Sequence, residues 1–109
     1  MTISAFILEP QNDFERSFFI PIATEAFFKR CWLPAIQSLN LQWTAIFSTG
    51  INVEKEDVPS ICGELHQIQK WAAQHLEQEE HTKLSERITR LLQELPQAFQ
   101  RENAVVFIG

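Results

Sequence analysis

Cys62 and His66 stand four residues apart, the spacing that puts two side chains on one face of a helix. A thiol beside an imidazole is the start of a nucleophile and its base. The sequence places no third group to orient the histidine. Neither "CWLP" at Cys31 nor "ICGE" at Cys62 has the form of a nucleophile elbow or a cysteine-protease signature. The metal reading is equally thin. His66 and His75 are nine residues apart, which matches neither helical ligand spacing, and His75 with Glu79 supplies only two ligands where a closed site takes about four. His66, His75 and His81 are therefore read as surface side chains. Three glycines, at 50, 63 and 109, are too scattered to cradle a phosphate. The chain reads as non-enzymatic, with no catalytic residue, no metal and no cofactor. Cys31 and Cys62 read as reduced thiols packed as small hydrophobes.

Charge carries more information than motif. Fourteen acids against nine bases give a net charge of -5. The excess is uneven: residues 1–53 have a net of -1 and residues 54–109 a net of -4. Such a surface repels nucleic-acid phosphates and anionic membranes, and it accepts a basic protein, since opposite fields speed encounter. Two acidic groups stand out, Glu54, Glu56 and Asp57 in "STGINVEKEDVPS", and Glu77, Glu79 and Glu80 in "EQEEHTK". They bracket an apolar stripe at Ile61, Leu65, Ile68, Ala72 and Leu76, which predicts a helix. Asp57 is the expected N-cap, with Pro59 in the first turn. Acids suit that end of a helix dipole, whereas those at 77–80 would sit at its unfavourable end. About 20 helical residues would hold the two groups roughly 30 Å apart. Trp71 lies one residue off the stripe, near its edge, and is the expected partly exposed aromatic anchor. Glu54, Glu56, Asp57, Trp71, Glu77, Glu79 and Glu80 are thus the candidate partner-binding residues.

The elements that must position these residues follow from periodicity. A chain of 109 residues makes one domain, 1–109, large enough for a modest core. "ISAFILE" (3–9) predicts a strand and "PQNDFER" a turn. "SFFIPIA" (17–23) predicts a second strand, at a sheet edge because Pro21 has no ladder donor. Thr24 caps a helix that runs through Phe27, Phe28, Cys31, Trp32, Ala35, Ile36 and Leu39, kinked or split near Leu33 by Pro34 and stopped at Asn40. "LQWTAIFS" (41–48) alternates and predicts a central strand, against which Trp32 and Ile36 pack beside Trp43. Gly63 weakens the second helix or marks a close packing contact. "EQEEHTK" (77–83) reads as a polar joint. Leu84, Ile88, Leu91, Leu92, Leu95 and Phe99 predict a third helix, interrupted by Pro96. "NAVVFIG" (103–109) closes the chain as a strand, apolar enough to be buried between neighbours. The order ββαβααβ predicts an α+β fold, a small mixed or antiparallel sheet with three helices packed on it. "MTISAFILEPQNDFERSFF" lacks the basic start and apolar segment of a signal peptide, and no run approaches the roughly 20 apolar residues of a membrane span, so the expected setting is a bacterial cytoplasm.

"FIPIATEAFFKRCWLP", "STGINVEKEDVPSICGELHQIQKWA" and the closing "VVFIG" resemble a group of small bacterial proteins similar to the immunity proteins of polymorphic or contact-dependent toxin systems. The resemblance implies a cytoplasmic protein of contact-dependent growth inhibition that binds and neutralises one cognate toxin domain. Such toxins are often nucleases with basic, phosphate-binding surfaces, which an acidic inhibitor can mimic. The competing expectation is a homo-oligomeric structural or adaptor subunit with no toxin partner, suggested by the apolar last strand and by twelve aromatic residues in a small chain.

Overall fold

Ile3, Ala5 and Ile7 alternate with Thr2 and Phe6, and the strand they build buries the first set and exposes the second. A computed structural model describes residues 2–109. Its four strands are β1 (Thr2–Ile7), β2 (Phe19–Thr24), β3 (Ile51–Val53) and β4 (Val106–Ile108). They form one antiparallel sheet in the order β2-β1-β4-β3. The C-terminal strand is thus pinned between two neighbours, as its apolar composition predicted, and Val106 and Ile108 are fully buried. The fold is α+β, with one sheet face packed against helices and the other open.

β2 is the expected edge strand. Pro21 pairs with Ser4 beside a register shift, where its missing N–H removes no ladder bond. The outer edge is also closed from the helical layer. Arg87 donates to the Pro21 carbonyl at 3.1 Å and Arg90 to that of Phe19 at 3.2 Å. Carbonyls that another strand would need are therefore already engaged.

Five α-helices complete the fold. The segment 10–16, read as a turn, leads into a short helix, α1 (Asp13–Ser17), because the Asn12 side chain accepts the Glu15 N–H at 2.9 Å and caps it. Thr24 caps α2 (Glu25–Phe27) by accepting the Phe27 N–H, as expected. The kink expected near Pro34 takes a specific form. A π-helical turn, Phe28–Trp32, separates α2 from α3 (Leu33–Leu39). Pro34 offers no N–H to the preceding turn and its ring crowds that turn's carbonyls, so the chain widens, and the Leu33 N–H reaches back to the Phe28 carbonyl. Asn40 ends α3 with a left-handed φ of 55°.

The expected central strand at 41–48 does not form. Residues Thr44–Ile46 make a 3-10 turn, and the third strand is instead Ile51–Val53, inside the acidic stretch. The cause lies 20 residues downstream. The carboxylate of Glu64 accepts the N–H groups of Gln42 at 3.2 Å, Trp43 at 3.0 Å and Thr44 at 2.8 Å, with the Thr44 hydroxyl at 2.8 Å. Three consecutive N–H groups converging on one acceptor cannot alternate sides as a strand requires. Trp32, fully buried, consequently packs on Phe28 at 5.6 Å and Phe47 at 6.4 Å between ring centroids, with Trp43 only half-buried.

The helix predicted from the apolar stripe is α4 (Val58–His75), and α5 (Gln78–Glu94) follows after Leu76 and Glu77 alone. The joint is therefore shorter than 77–83, and α5 begins within it. Gly63 makes no close packing contact: a Cβ there would meet nothing within 4 Å. Among the described residues no helix is long and apolar enough to cross a membrane.

Candidate functional site

The seven candidate residues do not form one surface. Glu54, Glu56 and Asp57 lie before the first turn of α4, and Glu77, Glu79 and Glu80 lie past its last. The 18 residues of α4 hold the two groups about 27 Å apart.

Most of these acids have structural work to do. Asp57 stands at the N-cap of α4, as expected, with Pro59 in the first turn, but its backbone is already helical and its side chain caps no N–H of α4. It sits inside a 3-10 turn (Lys55–Asp57) that runs into α4, and its carboxylate accepts the Glu54 N–H at 3.0 Å. Glu79 and Glu80 do not crown the unfavourable end of α4. They occupy the first turn of α5, where the helix dipole welcomes negative charge. Glu80 also accepts the Arg30 Nε at 2.6 Å, tying α5 to the π-helical turn, and Glu79 lies 3.6 Å from Lys83. Glu77 occupies the N-cap position of α5 with extended backbone, and its side chain makes no capping bond. The acids at this end thus belong to a helix start and to an internal ion pair.

Trp71 is half-buried against the core in the helical layer. Its indole stacks on the His75 imidazole at 4.4 Å between centroids, 10° from parallel, and the His75 ring is tethered to the Trp71 carbonyl at 2.9 Å. The wide face of Trp71 is occupied by its own helix, which weakens it as an anchor. His81 contacts the Ser85 hydroxyl at 3.3 Å, and α4 ends at His75, so His75 and Glu79 share no helix face. Among the described residues no three His, Cys, Asp or Glu side chains gather in a way that could hold a metal ion. Burial pushes the thiols of Cys31 and Cys62 up, away from the reactive thiolate, with Glu80 adding to the effect at Cys31.

Glu54 and Glu56 acquire a partner that the sequence concealed. With Glu102, Asn103, Ala104 and Val105 they line a groove of about 290 Å³ that has no basic side chain in its wall. Glu102 stands 46 positions after Glu56 in the sequence. The pairing of Val53 with Val106 is what brings the two loops together, so only a correct strand pairing could have revealed it. A second groove, of about 500 Å³, continues from Asn103 and Val105 to Leu8, Glu9 and Asn52. Arg101 lines that groove, but its guanidinium is committed. It donates to Glu15 from Nε at 2.7 Å and from the terminal nitrogen at 2.9 Å. The Arg101 hydrogen bonds hold the Glu15 carboxyl below its ordinary range against the opposing effect of burial, and the Gln11 N–H adds to them. The charge left over at this end of the molecule is negative. Compared with known proteins, the chain matches no family model, no curated protein and no solved structure.

Proposed function

We propose that this chain is a non-catalytic immunity-type protein of the bacterial cytoplasm that binds and neutralises a basic, nuclease-type toxin domain. One observation carries the reading. Glu54, Glu56 and Glu102, drawn from two loops, converge on a single groove with no basic residue in its wall. Of the other acids at the ends of α4, Asp57 is engaged by a hydrogen bond and Glu80 by an ion pair, and Glu77 and Glu79 sit at the start of α5. Glu56 and Glu102 are not so engaged among the described residues, and Glu54, the N-cap of the Lys55–Asp57 turn in a capping box with Asp57, lines the same groove. Acids that share a groove with no basic side chain raise the local negative potential, which accelerates the approach of a basic partner and fixes its orientation.

The test is co-expression with the product of the neighbouring reading frame. The expected result is a stable complex, protection of growth, and loss of both in the triple variant Glu54→Lys, Glu56→Lys, Glu102→Lys, whose melting curve shows that it is still folded. Failure to form a complex, or protection indifferent to the triple charge reversal, overturns the proposal. A homo-oligomeric subunit is the competing reading, and the exposed rings of Phe6 and Phe19 favour it. Sedimentation of the isolated chain separates the two.

A further inference from the structure

The open face of the sheet has an order that its strand pairing makes explicit. Phe19 pairs with Phe6, Phe6 with Phe107, and Phe107 with Asn52. A single row therefore crosses all four strands, with three aromatic rings in succession. The rings of Phe6 and Phe107 lie 5.5 Å apart. Of the large apolar side chains that are exposed among the described residues, Phe6 at 36% and Phe19 at 53% stand side by side in this row.

The next row toward the C-terminal end of β1 is Leu8, Val105 and Glu54, since the Leu8 N–H bonds the Val105 carbonyl at 2.9 Å and Val105 stands opposite Glu54 beyond the Val53–Val106 pair. The row on the other side is Pro21, Ser4, Gly109 and Gly50. The only charged residue in these rows is Glu54, which belongs to the acidic groove. Phe107 is held down by the last pair: a Cβ on Gly109 would lie 2.6 Å from its ring and one on Gly50 2.9 Å. The ring thus lies over two glycines, and the face stays flat where a side chain at either position would raise it.

We propose that this open face is the apolar anchor of the same interface, and that its occupant is a protein presenting an aromatic or aliphatic patch bordered by Lys and Arg. The inference rests on the proposed binding of a basic partner and names the surface that retains it. Charge complementarity selects the occupant. The three rings end at Asn52 and Glu54, and Glu56 and Glu102 continue the negative border. This is the anatomy of a protein interface, an apolar centre with a charged rim. The acidic β3 side of the rim disfavours a nucleic acid, which would bring phosphates, and a second copy stacked with its own acidic side in register, while Arg87 and Arg90 border the β2 side. The edge of β2 is no alternative route, because Arg87 and Arg90 already hold its outer carbonyls.

The probes are two synthetic peptides with the same Leu, Phe and Trp positions, one with Lys and one with Glu at every other site. Oligothymidylate serves as a third probe. Each is titrated into the isotopically labelled chain and read by amide chemical shifts. The Lys peptide is expected to shift Phe6, Phe19, Asn52 and Glu54 and to weaken as salt rises, while the Glu peptide and the oligonucleotide leave them in place. Phe19→Ser is expected to weaken the Lys peptide about tenfold or more. Phe19 is the more exposed ring, so this variant keeps the fold where Phe6→Ser would endanger it, and a melting curve verifies that. Equal binding of both peptides, binding of the oligonucleotide, no shift at the open face, or a dimer in sedimentation that Phe19→Ser dissolves each overturns the inference. If the triple charge reversal abolishes binding of the Lys peptide and Phe19→Ser does not, the acidic site stands and its aromatic anchor falls. If no probe or neighbouring gene product binds, both fall together.

Discussion

Glu64 sits on α4 but decides the shape of a segment 20 residues earlier, and its removal has a calculable cost. Its carboxylate accepts four hydrogen bonds. Two come from Thr44, which is fully buried, so its N–H and hydroxyl lose their partner without access to water. A stranded buried donor costs about 1–3 kcal/mol. The N–H groups of Gln42, which is exposed, and Trp43, which is half-buried, recover hydration at a smaller loss. Glu64→Ala should therefore destabilise by about 3–5 kcal/mol, a large share of the roughly 5–15 kcal/mol that holds a small domain together. Glu64→Gln separates charge from shape. It keeps an oxygen for Thr44 but turns an NH₂ toward the N–H groups of Gln42 and Trp43, where donor meets donor, at an expected cost of about 2–3 kcal/mol. Urea melts read the difference, since a slope of about 1–2 kcal/mol per molar makes either loss a midpoint shift of more than about 1 M. Amide exchange at residues 42–44 should accelerate in both variants. A loss below about 1 kcal/mol in Glu64→Gln, with those amides still protected, would refute the claim that Glu64 organises the segment.

Further expectations concern packing, glycines and acid. Trp32→Ala, at a fully buried site, should cost about 3–5 kcal/mol, and Trp71→Ala distinctly less because its ring is half-exposed; equal losses in denaturant melts would make Trp71 a core residue. Gly63→Ala should stabilise by about 1 kcal/mol, since the site is helical and a Cβ meets open space, and a lower melting temperature would contradict this. Gly50→Ala should do the reverse and lose about 1–3 kcal/mol, because φ is +106° and the new methyl would press on the Phe107 ring. Glu15 has its folded pKa depressed below 4.5 by the Arg101 hydrogen bonds, so its stabilisation is present in full above that value and is lost as pH falls through the lower folded one. Thermal melts from neutral to acid pH should show a flatter profile in Glu15→Gln, and an unchanged profile would remove this pair from the acid response.

Periodicity made the longer helices and three of the four strands legible. The stripe from Ile61 to Leu76 describes α4, and Pro21 placed its strand at an edge. What misled was chemistry acting at a distance. The alternation of Leu41, Trp43, Ala45 and Phe47 suits a strand, and only Glu64, from another element, bends it into a turn. Ile51–Val53 is three residues long, too short for a period to show, and becomes a strand because β4 offers it an edge. The acids at 79 and 80 changed meaning once α5 was seen to begin at Gln78. At the candidate site Glu54 and Glu56 were legible from composition. Glu102 was not, and neither was the row of Phe19, Phe6 and Phe107, because a phenylalanine in a small chain is read first as core and only strand pairing shows which face it takes.

The wide turn at Phe28–Trp32 fixes a length. Thr24 is held at both ends, paired with Thr2 in the sheet and capping α2, while Ala35 and Ile36 must face the core on the far side of Pro34. Deleting one residue between these anchors would rotate one end against the other by about 100° and draw them about 1.5 Å closer. The stretch is therefore tolerant in kind and intolerant in number. Exposed positions such as Ala26 and Lys29 are free to change their side chains, but an insertion or deletion there would turn an anchor out of phase.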